Sequence, residues 1–159
     1  MNIKRRSRRA LWRDDRGISA IEFAIATPFV LVLVLGTCEL AMDMLMDTTV
    51  QMAAQAASRY GLTTTEPATG TRAQQAQTIV NAYLARWTRL PGTTVTIETL
   101  NYGSYGNVNT GNSSSGMGGL GDVVAYNIKL TTRGMSGIPQ LLGMREMTFE
   151  RTYLVQNEK

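Results

Sequence analysis

A long apolar run near the amino terminus constrains the fold of this chain more than any other feature. From Ile18 to Leu40 the only charged residues are Glu22 and Glu39. As a helix such a run rises about 35 Å, enough to cross a hydrocarbon core of about 30 Å. The remainder of a 159-residue chain is too small to bury it. We therefore predict one membrane-spanning helix, from about residue 18 to residue 40.

The basic residues are concentrated just before this run. Residues 1–17 hold seven Lys or Arg against two Asp, whereas the rest of the chain holds nine basic and ten acidic side chains. Basic flanks stay on the cytoplasmic side of a membrane, which predicts a cytoplasmic amino terminus and an exported remainder. A nucleic-acid-binding arm is the alternative for such a cluster. The apolar run that follows it at once argues against that alternative, and we expect no nucleic-acid partner.

Two residue types bear on the possible chemistry. The chain has no histidine, and its one cysteine, Cys38, lies inside the apolar run. An intrachain disulfide is therefore impossible, and the usual imidazole base and most zinc sites are missing. We expect a non-enzymatic protein with no catalytic residue, no metal and no cofactor.

The helix is predicted to continue beyond the membrane to Tyr60, since no proline or glycine occurs between Glu39 and Tyr60. Apolar residues recur there at helical spacing and indicate a face that packs on the chain's own domain or on neighbouring subunits. The predicted packing residues are Glu39, Met42, Leu45, Met46 and Met52, in a face that also includes Thr49, Ala53, Ala56 and Tyr60. A polar stripe is predicted at Asp43, Asp47, Gln51, Gln55 and Arg59.

Two further positions shape this helix. Pro28 removes one backbone hydrogen bond and is predicted to kink the helix near its first third. Gly61, directly after Tyr60, is predicted to cap its carboxyl end.

Residues 61–159 are predicted to form a small α+β head. Thr71–Leu90 has the apolar spacing of a second helix, which Pro91 ends. Three segments alternate apolar and polar residues and predict a short antiparallel sheet. These segments are Thr93–Leu100, Val123–Leu130 and Met147–Val155. The glycine-rich segment 101–121 between the first two is predicted to be a flexible, unpacked loop.

The start of the apolar run contains a second constraint. A carboxylate in lipid costs several kcal/mol unless it is neutralised or paired, and Glu22 is such a group. A cut between Gly17 and Ile18 would place the new α-amine of Ile18 at the membrane depth of Glu22. The two groups meet poorly within one helix but well between adjacent subunits, so the pair would set subunit register. The alternative is a glutamate that simply reaches the headgroups.

These residues resemble a known family. Gly17, followed by Glu22 and Phe23, resembles the prepilin-peptidase site of the Flp/Tad branch of type IV pilins. The continuation through Pro28, Gly36, Glu39 and the alanine-rich stretch to Tyr60 resembles the TadE-like pseudopilins. The resemblance covers Arg16 to Tyr60, and the length of the chain favours TadE or TadF over the longer TadG-like proteins.

The resemblance implies a structural role. It implies a minor pilin (pseudopilin) cleaved at Gly17–Ile18 by a prepilin peptidase in the bacterial inner membrane, with Ile18, Glu22 and Phe23 used in assembly. Implied partners are other minor pilins, the major Flp pilin and the pilus assembly platform, in initiation or tip complexes that support adhesion. The head would be periplasmic, or extracellular once it joins a pilus.

The same residues also fit three alternatives. The chain could be an uncleaved single-span anchor whose head binds a periplasmic ligand or partner. Arg8-Arg9 partly resembles a twin-arginine signal. Leu35-Gly36-Thr37-Cys38 resembles a poor lipoprotein site.

Overall fold

The computed structural model describes residues 18–62 and 67–158. Its largest element is α1 (Ile18–Leu62), a helix of 45 residues. At 1.5 Å per residue it is about 67 Å long. Pro28 lies inside α1, whose helical conformation continues on both sides of it. The kink at this proline stays a prediction.

The head follows α1 and combines short helices with one sheet. Its elements are α2 (Arg72–Leu84), a 3-10 turn (Trp87–Arg89), β1 (Thr94–Asn101), α3 (Tyr105–Thr110), β2 (Ser114–Ser115), β3 (Val123–Thr132), α4 (Ile138–Leu141) and β4 (Met147–Gln156). The sheet has the order β2-β1-β3-β4, and every pairing is antiparallel. The predicted α+β fold with a long amino-terminal helix is confirmed.

The second helix is shorter than the sequence pattern predicted. Its start is fixed by a capping box, in which the Thr71 hydroxyl accepts from the Gln74 backbone N–H and the Gln74 side chain accepts from the Thr71 N–H. It ends at Leu84, and a 3-10 turn takes up the chain before Leu90. Leu90 is extended, because the ring of Pro91 disfavours a helical residue before it.

The core lies between the sheet and the two longer helices. β3 is the central strand, paired with β1 on one side and β4 on the other, and most of its residues are buried. Its side chains Val124, Tyr126, Ile128 and Leu130 pack in one cluster with residues of α1 and α2. β1 and β4 alternate between half-buried and exposed residues, as expected for strands with one covered face.

The buried face of α1 is rotated relative to the predicted one. It consists of Glu39, Met46, Val50, Ala53, Ala54, Ala57, Ser58 and Gly61. Met42 is half-buried, but Leu45 and Met52 are 56% and 52% exposed, so the described part of the chain leaves these two predicted packing residues largely uncovered. The carboxyl-terminal part of the face has small side chains, which allow the helix to approach the sheet and α2 closely.

Part of the predicted polar stripe also contacts the head. The Arg151 guanidinium of β4 forms an ion pair with the Asp47 carboxylate. The Gln55 side-chain amide donates to the Tyr153 hydroxyl at 2.6 Å. Both contacts help to orient β4 on α1.

Gly61 does not cap α1, because the helix runs on to Leu62. Gly61 is buried against Tyr126, and a Cβ atom placed on it would overlap the Tyr126 hydroxyl oxygen. The glycine is therefore required by a close contact between the helix and the sheet. Burial also raises the pKa of Tyr126 to about 12, with the nearby Arg72 acting in the opposite direction.

The glycine-rich segment 101–121 is not the unpacked loop that its composition predicted. It contains α3 and β2, and Met117 is buried. The Asn157 amide donates to the carbonyls of Met117 and Gly119 at 2.9 and 2.8 Å. Asp122 accepts from the Gly119 N–H and the Asn101 amide, which lower the pKa of its carboxyl. Polar side chains from outside the segment thus hold its backbone in place.

Candidate functional site

The lower half of α1, Ile18–Cys38, projects from the head. Its large apolar residues are exposed, with Phe23 and Phe29 at 73% and 74%. None of the most apolar 18-residue stretch of α1 is buried in the head. By length and composition α1 can therefore cross a membrane, and it indicates single-pass membrane anchoring.

The predicted assembly residues lie at the free end of this half. Ile18 is the first residue of α1, and Ile18, Glu22 and Phe23 are all exposed. Within residues 18–62 and 67–158, the Glu22 carboxylate has no hydrogen bond or ion pair. Gly17, the other residue of the predicted cleavage site, lies outside the described residues. The chain by itself thus offers Glu22 no cation in its described part.

Glu39 marks the boundary between the lower half of α1 and its upper half, Glu39–Leu62. It is only 5% exposed, and its carboxylate oxygens accept from the backbone N–H groups of Met135 and Ser136 at 2.8 and 2.6 Å. A Cβ on Gly134 would lie 2.8 Å from Glu39 Oε1 and 2.5 Å from Pro139 Cγ, so only glycine fits there. The carboxylate fastens the segment between β3 and β4 to α1.

We call this segment, residues 133–146, the basal loop. The sequence placed Glu39 at a packing position but did not reveal its two partners, because backbone donors 96 and 97 residues away leave no pattern in the sequence. The one available signal was an acidic residue at the end of an apolar run, together with a distant glycine-containing loop.

The upper end of α1 is fastened as well. The Leu62 carbonyl accepts from the Glu158 N–H, and the Gly61 carbonyl accepts from the Arg72 guanidinium, both at 2.8 Å. These bonds satisfy carbonyls that a helix end leaves without intrahelical partners. Together with the Glu39 contact, they fix the upper half of α1 to the head at both ends.

The described residues contain no group of three or more His, Cys, Asp or Glu side chains placed to hold a metal. Cys38, at the top of the lower half, is exposed. What the described part of the chain offers is an apolar lower half of α1, whose one carboxylate, Glu22, is unpaired among the described residues, continuous with a helix that packs in a small head.

Comparisons with known proteins bear on this arrangement. Neither the curated proteins nor the solved structures gave a match. A family model did: TadE, described as "TadE-like protein", matches residues 17–59. The match begins at Gly17 and includes Glu22, Glu39 and most of the buried face of α1. The resemblance that the sequence suggested is thereby confirmed for this segment, and the long amino-terminal helix is similar to that of TadE-like proteins.

Proposed function

We propose that this protein is a minor pilin of a Tad/Flp type IV pilus, with a structural role. In this proposal a prepilin peptidase cuts between Gly17 and Ile18, and the shortened chain assembles with other pilins in the inner membrane. The observation that carries the proposal is the exposed Glu22 carboxylate, which has no partner among the described residues, in the half of α1 that is apolar enough to span a membrane.

The energetics favour an intermolecular partner for Glu22. An unpaired acidic group within a bilayer costs about 3 kcal/mol on insertion scales. The α-amine of Ile18 on a neighbouring subunit would be a cation at the same depth and would remove most of that cost. Assembly of TadE-like helices through this pair follows from the proposal, whereas an uncleaved anchor has no α-amine at this position.

Exposed apolar residues above the membrane also support assembly. Met44, Leu45 and Met52 remain uncovered on the upper half of α1. Such residues normally mark a surface that another protein covers. Other minor pilins are the partners that we propose for this surface, in an initiation or tip complex or at the assembly platform.

Cleavage is tested by intact-mass analysis of the protein from its native membrane. We expect the mass of residues 18–159, with Ile18 at the amino terminus. Recovery of the full 159-residue chain would contradict the proposal and favour an uncleaved single-span anchor with a periplasmic binding head. A terminus at Cys38 carrying lipid would also contradict it.

The assembly role is tested with Glu22→Ala, and Glu98→Ala on the exposed surface of β1 is the matched control. We expect normal membrane insertion and cleavage for both variants. Recovery of partner pilins with Glu22→Ala should fall about tenfold or more, because a lost pairing of more than 1.4 kcal/mol changes an equilibrium by that factor. Normal co-assembly of Glu22→Ala would remove the reason for the proposed register role.

A further inference from the structure

The basal loop lies at the end of the head nearest the membrane. α1 rises from Ile18 to Leu62, and its upper end contacts Arg72 and Glu158. β3 runs antiparallel to its neighbours and delivers the chain to the opposite end of the head, where Glu39 holds the basal loop. The loop therefore meets α1 where the apolar lower half begins.

The composition of the basal loop suits a lipid interface. From Gly134 to Met144 it has no charged residue, and Arg133 and Arg145 bracket this apolar stretch. Leu141 and Leu142 at its tip are 79% and 72% exposed, and Met144 is exposed as well. Leucines in full contact with water would be unfavourable, whereas the same side chains in lipid would be favourable.

The decisive observation is the height along α1 at which the basal loop lies beside the helix. A groove separates the basal loop from the helix. On the side of α1 it is lined by Val32, Leu33, Gly36, Thr37, Glu39, Leu40 and Asp43, and on the other side by Ile138, Pro139, Leu142, Met144 and Met147. Val32 lies about 10 Å below Glu39 along the helix axis. Residues of the basal loop thus line one groove with residues of the membrane-spanning half, and the part of α1 involved has a height similar to the depth of about 5–10 Å to which interfacial segments enter a bilayer.

The charges at this end of the head are consistent with an anionic surface. Exposed Arg86 and Arg89 of the α2–β1 connection lie at the same end as Arg133 and Arg145, and Gly92 of that connection approaches the Arg133 side chain. The acidic residues there are Glu146, Asp43 and the bound Glu39. Arginine side chains near a membrane surface bind lipid phosphates while apolar neighbours enter the acyl region.

We propose that the basal loop inserts Leu141, Leu142 and Met144 into the lipid interface beside α1, with Arg133 and Arg145 at the level of the headgroup phosphates. The occupant of the groove between loop and helix is lipid acyl chain. This inference rests on the membrane anchoring in the proposed function and gives the head a second, shallow contact with the bilayer. Glu39 sets the height of that contact, because it binds the loop backbone directly.

The test uses the full chain, one copy per lipid nanodisc, with an environment-sensitive fluorophore on a single cysteine in a Cys38→Ser background. The three labelled variants are Leu142→Cys in the basal loop, Leu31→Cys in the spanning half and Leu120→Cys at the far end of the head. All three positions are exposed, so the label should leave the fold intact. Nitroxide-bearing lipids then report contact with the bilayer by quenching.

We expect blue-shifted, quenched emission at positions 142 and 31, and water-like, unquenched emission at 120. Quenching at 31 with water-like emission at 142 would overturn the insertion of the basal loop and leave membrane anchoring intact. No quenching at 31 would overturn the anchoring and the inference with it. A blue shift at 142 that requires two copies per disc and resists lipid quenchers would show that a second chain covers the loop, which also overturns the proposal.

The arginines are tested separately in anionic and in zwitterionic nanodiscs. Arg133→Gln with Arg145→Gln should reduce quenching at position 142 in anionic discs and leave it unchanged in zwitterionic ones. Arg59→Gln, at the upper end of α1, is the matched control and should change neither. An equal effect of the basal and control substitutions would contradict the proposed contact with phosphate.

Discussion

The two halves of α1 share one backbone conformation but differ in the size and burial of their side chains. In the lower half, large residues such as Phe23 and Phe29 point outward. In the upper half, the buried face is made largely of small residues, including Ala54, Ala57 and Gly61. The difference follows from what surrounds each half. Large apolar side chains are favourable where a helix faces lipid, whereas a sheet and a second helix can approach α1 closely only where its side chains are small.

In this chain, different residues of α1 therefore provide its apolar surface and its packing against the head. Alanine and serine in the upper half add little apolar area, yet they determine the distance between α1 and the head. Leucine, valine and phenylalanine in the lower half add much apolar area but do not contact the head. Substitutions in the two halves should therefore affect different properties.

The largest expected difference comes from removing a large side chain in each half. Met46→Ala should destabilise the head by about 3 kcal/mol, because Met46 is buried in the core and its loss leaves a cavity. Phe23→Ala should leave the stability of the head unchanged. Urea unfolding in detergent, followed by tryptophan fluorescence, measures both, because Trp87 packs against the core. Equal effects of the two substitutions would break the comparison.

The same substitution at two glycines of α1 is a sharper test of the difference between its two halves. Gly61→Ala should cost about 2 to 3 kcal/mol, because its Cβ overlaps the Tyr126 side chain, which is fully buried. Gly36→Ala should be close to neutral, since a Cβ there has nothing within 4 Å. Unfolding in the presence of urea again gives both values. A Gly61→Ala variant as stable as Gly36→Ala would show that Tyr126 moves aside easily.

Tyr126 also gives the upper half a pH dependence. Its folded pKa of about 12 lies above the ordinary value of 10, so its stabilising effect is complete below pH 10 and is lost as the pH rises towards 12. The loss should be about 2 kcal/mol. Unfolding measured from pH 9 to pH 12 tests this, with Tyr126→Phe as the control that should lose less. Identical pH profiles for the two proteins would contradict the assignment.

The smallest expected effect concerns the boundary between the halves. Glu39→Gln should weaken the hydrogen bonds from Met135 and Ser136 by about 1.5 kcal/mol, because an amide oxygen is a poorer acceptor than a carboxylate. Amide hydrogen exchange at these two residues should become about tenfold faster. Glu98→Gln on β1 serves as the control. Unchanged exchange in Glu39→Gln would mean that the basal loop is held by other contacts.

Much of the architecture could be predicted from periodicity. The alternation around Tyr126 and Ile128 predicted β3, and the apolar run predicted the membrane-spanning half of α1. Both signals arise from side-chain burial along a regular backbone, so they appear in local sequence.

The rest could not be predicted, because it depends on contacts between distant residues. The small residues at Ala54 and Ala57 are buried through the approach of the head, which hydropathy does not report. The glycine-rich segment has the composition of a flexible loop, but Asn157 and Arg72 bind its carbonyls from 38 and 46 residues away. The Glu39 contact joins a helix side chain to a loop backbone, and no spacing rule relates the two.

The uninterrupted course of α1 has a mechanical consequence. One helix passes from the lower half into the core of the head and is bound there at Glu39 and Leu62. The head should therefore move together with the upper half of α1 when that half tilts or rotates. A pull on the head is transmitted along the backbone hydrogen bonds of α1 towards Ile18. Shifts in the depth of the amino terminus should therefore appear as changes in the height of the whole head above the lipid.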